Sequence, residues 1–161
     1  MNEIIQPENK ELLALILGDI QNQSYISAVQ NLEENIQNHA EQIDVPVEHH
    51  FAPSIYVRQM NAKAGTLVVS KMHRTEHIII FLTGSVSVLT ENGIEHIQAP
   101  FIQKTAKGTK RVGYFHEDTS CITIHQTNET DLEKIEDEII VPQNEETAFI
   151  EMMSKLQEIE L

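Results

Sequence analysis

The sequence predicts a mainly β fold, a small antiparallel barrel or sandwich carried between two helical arms. Three observations predict it. The apolar period shifts from about 3.6 to about 2 near Pro46 and returns to helical spacing near Thr130. Between those points, eight short β-rich runs are separated by turn residues. One of the separators, Glu91-Asn92-Gly93, contains the Asn-Gly pair that suits tight hairpins, because both residues tolerate positive φ. The expected division is a helical arm over 1–45, a barrel over 46–128 and a second helical arm over 129–161.

In chain order, Leu12, Leu13, Leu15, Ile16 and Ile20 keep helical spacing and predict a first helix. Ser24 is placed to cap a second helix, with Tyr25, Val29, Leu32, Ile36 and Ala40 on its apolar stripe and Glu33, Glu34 and Glu41 on other faces. Asp44-Val45-Pro46 ends the helical signal. Strand-like runs follow at 54–60, 66–72, 77–83, 85–90, 94–98, 101–104, 111–116 and 120–126. Thr130 with Glu133 then forms a capping box for a short acidic helix. After Pro142, Asn144 is placed to cap a last helix bearing Phe149, Ile150, Met153, Leu156 and Ile159. The apolar stripes of the arms must be buried, either on the barrel or against a second copy of the chain, and a homo-oligomer is expected.

At 161 residues the chain is expected to be one domain with a real core. Its net charge of −14 is uneven: −7 over residues 1–44, +2 over 45–128 and −9 over 129–161. An acidic total with a near-neutral centre argues against nucleic-acid polymers and anionic membranes as partners, since both need clustered Lys and Arg. The single cysteine, Cys121, excludes an internal disulfide and a Cys-based zinc cluster. The apolar run Leu12–Leu17 is too short to span a bilayer and follows Glu8 and Glu11 rather than basic residues. A soluble protein in a reducing compartment, the cytoplasm, is expected.

The chemistry-bearing residues concentrate around 65–84 (GTLVVSKMHRTEHIIIFLTG). Strand alternation puts Leu67, Val69, Lys71 and His73 on one face, and His77, Ile79 and Phe81 on one face of the next run. If both histidines point inward, Lys71 goes in with them. His125 shares a face with Cys121 and Thr123 at the end of the last run. His49-His50 are expected to cap or lie on the surface, His96 to be exposed, and Asp118 to bond local backbone in a turn.

The segment resembles the first motif of the cupin superfamily, G-x5-H-x-H-x3-4-E-x6-G, whose polar side chains point into a jelly-roll barrel and hold a metal. Aligned on Gly84, His73 takes the second histidine, His77 the glutamate and Lys71 the first histidine. The second motif, G-x5-P-x-G-x2-H-x3-N, has a partial echo in 105–111 (TAKGTKR), where Gly108 fits the glycine, Ala106 replaces the proline and Arg111 takes the histidine position. The resemblance implies a cupin-type jelly-roll β-barrel with N- and C-terminal helical extensions. Residues 46–140 are also similar to small cupin-like proteins of tailed bacteriophages, which implies a host-cell cytoplasmic location. The chain departs from them at Ser54, where glycine is expected, and at Cys121, where an aromatic is expected.

With two of four ligand positions cationic, the expected role is binding of a small anionic molecule, phosphorylated or nucleotide-like, without turnover. Lys71, His73, His77 and Arg111 would bind it and no cofactor would be needed. Sequestering a host defence signal is one use for such binding. Two rivals stand beside it. One is a metal-dependent isomerase or oxygenase holding a divalent transition metal on His73, His77 and His125. The other is a structural or virion-associated barrel. The plainer alternative is that Lys71 and Arg111 pair with Glu76 or Glu117.

Overall fold

The structure, a computed structural model, describes residues 3–5 and 24–159. Among the described residues, ten strands form two five-stranded antiparallel sheets. In chain order these are β1 (Glu3–Ile5), β2 (Val47–Ala52), β3 (Ile55–Ala62), β4 (Leu67–Val69), β5 (His77–Thr83), β6 (Ser85–Thr90), β7 (Gly93–Gln98), β8 (Phe101–Thr105), β9 (Val112–Phe115) and β10 (Thr119–Gln126). Sheet I runs β1-β4-β9-β6-β7, and sheet II runs β2-β3-β10-β5-β8. Helix α1 (Tyr25–His39) precedes the barrel, while α2 (Leu132–Ile139) and α3 (Glu146–Ile159) follow it. This is the jelly roll with terminal helices that the sequence predicts. The helix expected around Leu12–Ile20 lies outside the described residues.

Between the sheets, Met60, Val68, Phe81, Val86, Ile97, Phe115 and Cys121 form one buried cluster. On the outside of sheet I, Val29, Leu32 and Ile36 of α1 pack on Leu67, Val69, Leu89 and Val112. The stripe of α1 is therefore buried within its own chain. Ser24 caps α1 as expected, its Oγ accepting from Ser27 N. Glu33, expected on a solvated face, is buried instead, for a reason given by Lys110 below.

Three local readings shift. The alternation drawn across 66–73 does not hold, because β4 stops at Val69. Leu67 and Val69 face α1, Val68 faces the interior, and the chain then leaves the ladder with Ser70 N donating to Arg111 O at 2.9 Å. The cap of α2 is Asp131, one residue beyond Thr130, its side chain accepting from Glu133 N and Lys134 N. Asn144 lies inside a 3-10 turn (Gln143–Glu145) that runs directly into α3.

Turn chemistry follows the sequence more closely. Gly84, the motif glycine, has φ +85°, and a Cβ there would sit 2.2 Å from Thr119 Oγ1. Ser54, where glycine was expected, also has a positive φ of 62°. It is held there by Thr127 N donating to its carbonyl at 3.3 Å and by its own hydroxyl bonding Asn128 Oδ1 at 2.7 Å. Asp118 does not bond local backbone. It accepts from Ala64 N at 2.9 Å and Lys63 Nζ at 2.7 Å, tying two distant turns together.

Candidate functional site

Sheet II builds the site by register. Its interior-facing rows can be read across the strands: Val47–Met60–Cys121–Phe81, then His49–Arg58–Thr123–Ile79, then Phe51–Tyr56–His125, with His77 and Thr105 continuing the last row on β5 and β8. The first row belongs to the apolar core. The last row is rich in rings, with Tyr56 stacked on His125 at 5.8 Å and on Phe51 at 5.3 Å between ring centroids.

His73 arrives from the other side. It forms an isolated antiparallel bridge with Ile140, and its neighbours fasten the same segment: Arg74 N donates to Ile139 O at 2.7 Å and Val141 N to Met72 O at 2.9 Å. The chain after α2 is thereby laced to the strand-end that carries His73. Ile135 and Ile139 of α2 pack on Tyr56 over this end of the barrel.

His73, His77 and His125 converge. Their ring centroids are 4.3, 4.8 and 5.4 Å apart, and one nitrogen from each lies within 4.8 Å of the others. Burial, reinforced by the neighbouring imidazoles, pushes the His73 pKa down to about 3. Burial with the charges of His77 and Arg58 does the same to His125. Burial also lowers His77, opposed by a backbone hydrogen bond at Thr75. All three are neutral imidazoles at pH 7 and offer lone pairs.

The hydrogen bonding agrees with that. Nδ1 of His77 and Nδ1 of His125 are buried and have no hydrogen-bond partner among the described residues. Thr123 Oγ1 lies 2.9 Å from His125 Nε2. A proton on Nε2 shared with that hydroxyl leaves the His125 lone pair on Nδ1, the tautomer a metal ligand needs. Buried, unsatisfied ring nitrogens are costly unless something completes them. Three converging neutral imidazoles are a donor set suited to a divalent transition metal, with remaining positions for water or a ligand. The residues present therefore fit such an ion.

A cavity of about 720 Å³ opens beside the cluster, within the size range of small-molecule sites. Lys71, His73, His77 and Arg111 all line it, and so does His125. The two cations are engaged. Lys71 Nζ is paired with Glu136 of α2, and Arg111 Nη1 with Glu91 at 2.7 Å. These carboxylates are not the Glu76 or Glu117 that the sequence suggests. Glu76 pairs with Lys104.

Several cavity residues escaped the sequence reading. His49 is exposed as expected, yet it lies within β2 and also lines the cavity, its Nδ1 2.8 Å from the Tyr56 hydroxyl. Arg58 lines the cavity on β3, in phase with the buried Tyr56, Met60 and Ala62. That phase was present in the sequence as a period of two and is the signal that finds it. His96 is exposed as expected, bonded to Ser87. Cys121 is buried, its thiol pushed up to about 11 by desolvation, which makes it inert. No helix among the described residues is long and apolar enough to cross a membrane.

No protein-family model matches the sequence, and no curated protein matches it. Solved structures do share the architecture. An acetylacetone dioxygenase from Acinetobacter johnsonii is 16% identical with a TM-score of 0.44, over 51% of this chain and 59% of that one. A cupin-2 domain-containing protein from Shewanella frigidimarina NCIMB 400 is 12% identical with a TM-score of 0.43, over 60% and 93%. The EutQ protein of Clostridium difficile is 13% identical with a TM-score of 0.46, over 58% and 75%. This chain thus spans about three fifths of the dioxygenase's length. Likenesses this distant say nothing of a reaction. The fold itself is a jelly roll of two antiparallel sheets, with helices before and after it.

Proposed function

We propose that this chain is a metal-dependent small-molecule barrel, with His73, His77 and His125 as ligands of a divalent transition metal and the adjoining cavity as the substrate chamber. One observation carries the reading: two buried Nδ1 atoms without partners in a cluster of three neutral imidazoles. Held by His73, His77 and His125, a divalent ion would supply Lewis acidity in the chamber. The protein's own contributions are separate. Thr123 fixes the His125 tautomer, the bridge to Ile140 holds His73, and the apolar core row excludes water from one end of the chamber.

The test is metal uptake by the full chain. Zn²⁺ titrated calorimetrically is expected to bind with one-to-one stoichiometry, and Co²⁺ to give the visible absorption of a site rich in nitrogen ligands. His125→Ala is expected to abolish both. Absence of stoichiometric binding to the wild type, or binding indifferent to His125→Ala and His77→Ala, defeats the reading.

A second reading keeps the cavity as a receptor that captures an anionic molecule without turnover. The presence of Lys71 and Arg111 on the cavity wall favours it. An anion using them would have to displace Glu136 and Glu91. Tight, metal-independent anion binding lost in Arg111→Ala would move this reading ahead.

A further inference from the structure

One cation on the cavity wall differs from the rest. Lys71 is paired with Glu136, Arg111 with Glu91 and Lys104 with Glu76. Arg58 also lines the cavity and is half-buried, yet among the described residues no carboxylate lies within ion-pair distance of it and nothing accepts a hydrogen bond from it. A partly desolvated guanidinium without a counterion is unfavourable. Burial indeed lowers the Arg58 pKa, although a guanidinium stays charged at pH 7. Among the described residues Glu136 acts on this charge only at a distance, without an ion pair, and the guanidinium is left facing the cavity.

Its position is specific. Arg58 faces Thr123 on β10 and His49 on β2. Two residues along those strands, a step of about 6.8 Å, lie Tyr56 and His125. Arg58 therefore stands one row deeper than the histidine cluster on the same wall, and its charge is felt at both His73 and His125. Around it the wall is apolar, with Met60, Ile79 and Phe81.

We infer that Arg58 is the carboxylate-recognition residue of the chamber, and that the molecule bound there is a small organic acid carrying a single negative charge. It lays its carboxylate on the planar N–H fork of Arg58 and extends its body toward His73, His77 and His125. The fork matches a carboxylate in two parallel hydrogen bonds. A multiply charged phosphate fits less well, because Arg58 is the one interior cation left uncompensated among the described residues. Asp44, Glu95 and Glu136 also line the cavity and repel added negative charge. The inference rests on the reading of this cavity as a ligand chamber, and it adds the chemical class of what enters.

The test uses 4-fluorobenzoate and its neutral counterpart 4-fluorobenzamide. Each is titrated into the full chain with and without one equivalent of Zn²⁺ and read by fluorine NMR. The benzoate is expected to bind the wild type at least about tenfold more tightly than the amide. Arg58→Gln is expected to lose about tenfold or more of benzoate affinity, with Arg58→Lys in between, while both variants take up Zn²⁺ as the wild type does. In the absence of ligand Arg58→Met is expected to melt at or above the wild-type temperature, since an unpaired charge is removed. Equal benzoate affinity in Arg58→Gln overturns the proposal, as does equal binding of the amide. So does inorganic phosphate binding more tightly than benzoate through Arg58. Loss of fold in Arg58→Gln also overturns it, because a residue reserved for a ligand does not hold the barrel together. If the wild type takes up no Zn²⁺ while benzoate binding still needs Arg58, the metal reading fails and this one stands.

Discussion

Lys110 Nζ lies 2.7 Å from Glu146 Oε1 at a place where both side chains are almost fully removed from solvent. Glu33 of α1 holds the same ammonium from the other side, and Gln30 Nε2 donates to the second oxygen of Glu146 at 3.0 Å. The Tyr25 hydroxyl donates to Lys110 O, and burial pushes its pKa up to about 12. One lysine in a barrel loop thus joins the helix before the barrel to the helix after it.

Lys110→Met should therefore be severe. It takes the ammonium from between two buried carboxylates, and breaking a buried ion pair from one side costs about 3–5 kcal/mol. Urea unfolding should show that loss. The triple variant Lys110→Met, Glu33→Gln, Glu146→Gln should recover much of it, because the stranded charges are gone. A Lys110→Met protein as stable as wild type would mean the three groups are not buried together.

Acid should weaken the metal-free protein earlier than its carboxylates require. His73 and His125 titrate near 3 in the folded chain against about 6.5 unfolded, and His77 is lowered too. The unfolded chain thus takes up these protons first. The contribution is intact above about pH 6.5 and falls as the pH drops toward 3, by roughly 1.4 kcal/mol per pH unit for each of His73 and His125. Melting temperatures between pH 7 and 5 check this. His125→Gln should flatten the slope.

Gly84→Ala should destabilise the barrel. The positive φ and the 2.2 Å approach to Thr119 Oγ1 act together, with the Asp118 carbonyl oxygen also only 2.6 Å away. A loss of about 2–3 kcal/mol by denaturant titration is expected, in the upper part of the range for single substitutions. Gly93→Ala makes a useful control, since nothing lies within 4 Å of its added Cβ and only the backbone preference is at stake.

Self-association is expected to use surface other than α1. With His77, Ile79 and Phe81 inward, β5 turns Ile78, Ile80 and Leu82 outward, and Ile80 pairs in register with Ile102 and Ile122. Ile102 is 64% exposed. Light scattering of Ile102→Lys should report a smaller species than the wild type at equal concentration. An unchanged mass would shift attention to Met152, Leu156 and Ile159, which α3 leaves exposed.

The sequence made the barrel legible because its strands are half-buried and strict. In 77–81 every second residue turns inward, and a two-residue turn at Glu91-Asn92 closes β6 onto β7, with Gly93 at positive φ pairing with Thr90. His125 could be placed on a face with Thr123, but its meeting with His73 could not. That depends on β10 lying beside β5 and on Ile140 gripping His73, both long-range facts. Lys71 does line the cavity, but not through the alternation drawn for it, which had already ended at Val69. Glu33 was read as solvated because its partner, Lys110, lies far along the chain. Charged residues are the hardest to place from sequence, since a carboxylate on a helix looks the same whether water or a buried lysine awaits it.

The bridge between His73 and Ile140 makes the histidine cluster and the end of α2 a single mechanical unit. Any slip of the His73 backbone is passed to Ile139 and Val141 through the flanking hydrogen bonds. Occupancy at the imidazoles would then be written into the exchange rates of amides on the acidic C-terminal arm, where a partner could read from outside what the barrel holds within.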